Sequence, residues 1–284
     1  MLSAERLKAL RAATYHLKPG LRIRSKDQAV QFIQERGFSF FWPIQGIELP
    51  SLWAAAAGNR PVPSEHDDPG HVTWGWKDSL LGARRWYYAK VLRKRGTMIS
   101  LEAAPYFYAL SENYGSMEED YLVQYEAGRM TAEAKQVYES LLEKGPLDTL
   151  ALRREARMTS RDSDARFGRA ITALQADFKV LPVGVAEAGA WRYAYVYDLV
   201  PRHLPEVVER ARTIEEPAAR HELLKLYFRS VGAAPLDQPK KVFQWRPAEL
   251  EAALGALVEA GALQTGLAMK GSEAEWIALS ELAA

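Results

Sequence analysis

The residues best suited to chemistry are gathered between Phe38 and Glu102. Five of the eight tryptophans fall there: Trp42, Trp53, Trp74, Trp76 and Trp86. They are interleaved with prolines, histidines, carboxylates and a basic run. Aromatic side chains ordinarily build a core, but mixed with charges and prolines in a segment of weak periodicity they also suit a pocket wall. Between Ser79 and Leu101 there are six Arg or Lys and no acid, namely Arg84, Arg85, Lys90, Arg93, Lys94 and Arg95. Such a run can hold backbone phosphates. His66, Asp68 and His71 invite a metal reading, but Pro69-Gly70 between them favours hydrogen-bonded turn residues, so no metal is expected.

Composition narrows the classes. A chain of 284 residues suits two or three domains, and 48% hydrophobic with 26% charged residues is an ordinary soluble balance. A net charge of +1 means that any nucleic acid must be met by a local patch. The absence of cysteine excludes disulfides, thiolate nucleophiles and thiolate metal sites. No apolar run is long enough for a bilayer, and Met1 to Lys8 lacks the apolar core of a signal peptide. A cytoplasmic location without a membrane partner is the expectation.

These residues must be positioned by regular elements. Leu7, Leu10, Ala13 and Leu17 share one face of a predicted helix ended by Pro19-Gly20. Ser25 with Gln28 has capping-box spacing for a second helix, stopped by Gly37. The two helices are expected to form a lid or support for the central stretch. Loops are predicted at Gly58 to Pro63 and at His66 to Gly70, a short strand at Thr97 to Leu101 and a helix at Pro105 to Tyr114. The first region is expected to end near residue 116.

From residue 117 to 200 the order is clearer. Thr131 caps a helix to Glu143, Asp148 or Thr149 caps one to Met158, and Ser163 opens a third with Phe167, Ile171 and Leu174 inward. Two extended segments follow, Phe178 to Val185 and Trp191 to Tyr197, turning at Gly189. Three helices and a β-hairpin make the winged-helix order. It recurs from 201 to 284: a helix at Glu216 to Val231, a short element at Leu236 to Trp245, a helix at Pro247 to Ala260, and a hairpin across Lys270-Gly271-Ser272. The expected class is α+β, mostly helical, with tandem winged helices behind an aromatic-rich N-terminal region.

In such a unit the third helix enters the major groove. In the first copy Arg166, Arg169 and Thr172 point outward, with Arg157 and Arg161 just before them. Arginines so placed can contact phosphates or guanine edges, or simply form a solvated basic face. In the second copy the outward positions include Glu249, Glu251 and Glu259, which phosphates repel.

Arg153-Arg154 after Gly145-Pro146-Leu147, the Trp86-Tyr87-Tyr88-Ala89-Lys90 run, and Arg220 to Leu226 leading to Ser230-Val231-Gly232-Ala233 resemble the bacterial winged-helix DNA glycosylases of the AlkZ type. The resemblance covers most of the chain. It implies tandem winged helices, binding to alkylated or crosslinked double-stranded DNA, and excision of bulky N-alkylated purines without a metal or redox cofactor. The family's Gln-x-Gln or Gln-x-Asp signature follows a glycine near the end of an N-terminal helix. After Gly37 the matching place holds Phe40, Phe41 and Trp42 instead. Gln45 and Glu48 could replace the polar pair in space, or be ordinary loop residues.

A glycosylase must expose its base and activate water at the sugar carbon. Gln45, Glu48 and Asp68 are the candidate water-orienting groups. Trp42, Trp53, Trp74 and Trp76 could offer aromatic faces to a cationic base. The six cations of the central run, with Arg157, Arg161, Arg166 and Arg169, would hold the DNA. Two alternatives stay open: a non-catalytic winged-helix DNA binder, such as a regulator or lesion sensor that lost the polar pair, and a protein-interaction module.

Overall fold

Helix, glycine, strand, helix, helix and two further strands follow one another three times along the chain. The computed structural model describes residues 1–189 and 192–283, so Ala190, Trp191 and Ala284 lie outside the described residues. A leading helix α1 (Ala4–Thr14) precedes the first unit, which comprises α2 (Lys26–Arg36), β1 (Phe38–Phe40), α3 (Leu52–Ala57), α4 (Val72–Leu80), β2 (Tyr87–Lys90) and β3 (Gly96–Ile99). Two short helices, α5 (Ala104–Ala109) and α6 (Asp120–Glu126), lead to the second unit. That unit is α7 (Ala132–Lys144), β4 (Leu147–Asp148), α8 (Thr149–Glu155), α9 (Asp164–Ala176), β5 (Val180–Ala186) and β6 (Ala194–Leu199). After α10 (Val200–His203) and α11 (Pro205–Ala211), the third is α12 (Glu216–Val231), β7 (Ala233–Pro235), α13 (Asp237–Phe243), α14 (Pro247–Glu259), β8 (Leu263–Leu267) and β9 (Trp276–Leu279). A final turn, α15 (Ser280–Ala283), closes the described chain.

Each unit has the same small antiparallel sheet. The last strand lies in the middle, in the orders β1-β3-β2, β4-β6-β5 and β7-β9-β8. The fold is thus mixed helix and sheet, with helices predominant. The sequence shows this order only in the second and third units. In the first, α3 is six residues long and all apolar, so it has no polar face to mark a period. Helix α4 begins at Val72, gains no side-chain hydrogen bond from its N-cap His71, and carries its tryptophans on two faces. Neither element announces itself by a 3.6-residue stripe.

Capping residues read from the sequence stand where expected. The Ser25 hydroxyl accepts from Gln28 N–H, and the Gln28 amide oxygen accepts from Arg24 N–H. Thr131 and Asp148 accept from the first turns of α7 and α8. Helices α2 and α12 both end on a glycine with positive φ, Gly37 at 78° and Gly232 at 75°. A Cβ at Gly37 would come within 2.8 Å of the Leu226 side chain, so the glycine is needed for close approach as well as for φ. Some helices are shorter than expected: α8 stops at Glu155 and α5 at Ala109.

The largest core joins the units. Phe38, Tyr87 and Ile99 of the first unit meet Phe178 and Leu181 of the second and Tyr227, Phe228 and Phe243 of the third. The second unit has a core of its own around Val137, Leu141, Phe167 and Leu174. Helix α1 touches the central stretch through the Arg11–Glu48 ion pair at 2.8 Å. It fastens onto the third unit, where Arg11 donates to Val231 O at 3.0 Å and Ala233 O at 2.7 Å, and Thr14 donates to Ser230 O at 2.7 Å.

Candidate functional site

The tryptophans of the central stretch do not form an open pocket together. Ser51 caps α3 by accepting from Ala54 N–H, which turns Leu52 and Trp53 into the interior, both fully buried. Trp76 and Trp86 pack with Phe32 and Met98 in the first unit's core. Trp53 and Trp76 are therefore core residues, and of the four aromatic-wall candidates only Trp42 and Trp74 reach the surface. Their rings meet at 6.0 Å.

What these aromatics enclose is a lysine. The Lys77 ammonium lies 4.6 Å from the ring centre of Tyr195, 5.0 Å from Tyr88, 5.4 Å from Trp74 and 5.7 Å from Phe41. It donates to the Asp78 carboxylate and the Tyr195 hydroxyl. The Tyr193 hydroxyl donates to Asp78 and accepts from the Trp74 indole at 3.1 Å. Burial lowers the Lys77 pKa, against the opposing pull of Asp78. With its side chain 1% exposed, Lys77 ties α4 to the second unit's hairpin and is closed to ligands.

The three candidate catalytic residues do not converge: Gln45 and Glu48 share one loop, and Asp68 is held elsewhere. The Glu48 carboxylate is bound to Arg11 at 2.8 Å, and its N–H donates to the Gln238 amide oxygen at 2.9 Å. Gln238 in turn donates to Gly46 O at 3.3 Å, so this loop is moored to α1 and to the first turn of α13. Gln45 is exposed beside it. Asp68 lies apart, accepting from Gly70 N–H at 2.7 Å and from Arg60 at 2.6 Å. The Arg60 guanidinium holds the Asp68 pKa below the ordinary aspartate range and stacks 4.9 Å over Trp53.

The basic residues are partly brought together. Lys94 on the turn after β2 and Arg166, Arg169 and Thr172 on α9 line one groove of about 600 Å³, together with Glu133, whose carboxylate lies 3.8 Å from Arg166. Lys90 joins the two segments: its N–H donates to the Gln175 side chain at 3.1 Å and its ammonium to the Thr172 hydroxyl at 3.4 Å. Arg93 and Lys94 both adopt positive φ, 58° and 54°, a costly pair for non-glycine residues and a common mark of functional turns. Arg84 and Arg85 precede the opposite end of β2, where Arg85 faces Asp27 at 3.9 Å, so the run is divided. Arg157 and Arg161 are exposed between α8 and α9, and Arg95 is exposed beyond Lys94; none of them lines the groove.

Beside the groove, across the turn Leu92 to Lys94, opens a cavity of about 380 Å³. That is within the size range of small-ligand sites. Its apolar walls are Phe107, Phe178, Phe243 and Trp245, the last two stacked at 4.3 Å. Its charged groups are Arg93, Glu112, Arg129 and Asp177, with Glu112 bound to Arg129 at 2.5 Å. The strand after Gly37 backs this cavity: Phe38 packs edge-on to Phe107 at 5.3 Å and to Phe243 at 5.8 Å. Sequence reasoning missed the cavity because its walls come from all three units and the segments between them. One local signal was present, the aromatic Phe243-Gln244-Trp245 run at the end of a short helix.

Two comparisons place the chain. A model of the AlkZ-related family matches residues 23–244. The chain belongs to the AlkZ-related family. Among solved structures, the DNA glycosylase AlkZ of Streptomyces sahachiroi is similar in fold, with a TM-score of 0.62 at 12% identity, covering 100% of this chain and 71% of that one. No match is found among curated proteins. The order of elements common to all three units thus belongs to an AlkZ-related chain whose first strand carries Phe38 and Phe40, both buried.

Proposed function

We propose that this AlkZ-related protein binds duplex DNA along the Lys94–Arg169 groove and takes an N-alkylated purine into the adjoining cavity, where the N-glycosidic bond is hydrolysed. In this reading each unit is a winged helix and α9 is the helix that faces the DNA. The observation that carries it is a groove lined by Lys94, Arg166 and Arg169, with Lys90 bonded to its wall at Thr172, lying beside an aromatic cavity across one strained turn. Family membership supports it, as does a fold shared with a protein named a DNA glycosylase. An N7-alkylated purine is cationic and suits the Phe243–Trp245 stack.

Chemistry favours the same substrate. A cationic purine departs as a neutral molecule, so little acid catalysis is required. The strand after Gly37 supports a second reading, lesion binding without excision, because Phe38 and Phe40 offer no group to orient water and the Ser39 hydroxyl is buried and donates to Phe40 O.

Two measurements test the proposal. Binding to a short fluorescent duplex across a salt series should give a log–log slope of about −3.5 for four phosphate contacts. Base release from duplex DNA containing N7-methylguanine should separate the readings. Salt-sensitive binding without release leaves the binding protein; no binding at low salt removes both.

A further inference from the structure

We infer that Asp177, the residue that ends α9, is the carboxylate that activates water for glycosidic hydrolysis, a task for which Phe38 and Phe40 of β1 carry no polar group. The inference rests on the hydrolysis reading and names the residue within it.

Four charged residues line the cavity, and three are accounted for. Glu112 and Arg129 neutralise each other. Arg93 lies on the turn between cavity and groove and is a cation, which cannot serve as the base. The Asp177 carboxylate receives no hydrogen bond and no ion pair among the described residues, and it lines the same cavity. Its backbone, by contrast, is held on both sides. Asp177 N–H donates to Ala173 O at 2.9 Å as α9 ends, and its carbonyl accepts from the Asn113 amide at 2.7 Å. The next residue, Phe178, has φ of 54° and stacks on Tyr87 at 4.4 Å. The backbone fixes where the carboxylate stands, and its oxygens, engaged by no other side chain among the described residues, are available to accept a proton from water.

Its electrostatic setting agrees. Although Asp177 is open to solvent on one side, the neighbouring walls remove enough water to raise its pKa. The ammonium groups of Lys179 and Lys94 act in the other direction and favour the ionised form, while Glu112 raises the pKa. Arg93 and Arg129 complete the charged surroundings.

The step balances. The C1′–N9 bond breaks with both electrons passing to the purine, which leaves uncharged. Water oxygen bonds to C1′, and the water's second proton passes to the Asp177 carboxylate. The products are a neutral alkylpurine, an abasic deoxyribose with a C1′ hydroxyl, and a protonated Asp177 that returns its proton to solvent.

The test is single-turnover release of N7-methylguanine from duplex DNA by the full chain, with DNA affinity followed by anisotropy. Asp177→Asn should slow release by at least about 100-fold while leaving affinity within about threefold, and Asp177→Glu should recover part of the rate. Wild-type release should rise with pH through one carboxyl titration, a limb absent in Asp177→Asn. Should Asp177→Asn fail to fold, the wild-type profile and Asp177→Glu decide the matter. Release by wild type with an unchanged Asp177→Asn rate, or with no acid limb, overturns the assignment and leaves hydrolysis standing. No release by wild type overturns hydrolysis, and the role of Asp177 with it.

Discussion

The Lys77 ammonium donates to the hydroxyl of Tyr195, joining a helix of the first unit to a strand of the second. A buried cation satisfied in this way costs more to leave half-paired than it contributes as a pair. Lys77→Ala should lower unfolding stability by about 3 kcal/mol, since it strips Asp78 of its partner and opens the cage. Tyr195→Phe should cost about 1.5 kcal/mol, because it leaves a buried ammonium short of one acceptor while Asp78 still pairs with it. Urea unfolding of both variants checks this, and equal effects would contradict it.

The groove makes a separate prediction. Arg166→Ala with Arg169→Ala should weaken DNA binding and reduce the salt slope by about two. Arg84→Ala should leave the slope unchanged, because Arg84 precedes the other end of β2. Anisotropy titrations at several salt concentrations measure both.

Glu48 offers a test of location. Its ion pair with Arg11 is partly exposed, with 40% of the Glu48 side chain accessible, so solvent screens it. Glu48→Gln should cost less than about 1 kcal/mol in stability and leave base release unchanged. A large loss of release with unaltered stability would return the catalytic role to Glu48.

Lys179 predicts a pH dependence. Burial pushes its pKa down to about 8, while Asp120, Asp177 and Glu112 oppose the shift. In the unfolded chain the group titrates near its ordinary value of about 10.4. Between those values the unfolded chain carries the extra proton, so stability rises with pH across that window; below it both states are protonated and the effect is flat. The buried tyrosines Tyr108 and Tyr138, whose pKa values are raised, reverse the trend once unfolded tyrosines begin to ionise. The urea midpoint should therefore climb from about pH 8 to about pH 9.5 and be flatter in Lys179→Met.

Much of the local structure is written in the chain itself. Ser25, Thr131 and Asp148 terminate their helices through side chains only a few residues from the groups they satisfy. Gly37 and Gly232 stop theirs because only glycine adopts the required φ without strain. The inward faces of α7, α9, α12 and α14 follow from apolar spacing alone. The basic character of residues 84 to 95 was equally plain.

Tertiary structure decided which of those side chains meet. Trp53 and Trp42 are alike in sequence context, yet one is sealed in the core and the other reaches the surface. Lys94 joins Arg166 and Arg169 only because the turn after β2 packs beside α9. Asp177 faces a cavity whose other walls come from residues near 107 and 243. The central stretch, which by composition promised a pocket, instead builds a core and a lysine cage. The physical reason is range: capping and periodicity act over a turn or two of chain, whereas burial, electric field and cavity shape depend on distant segments brought together by packing.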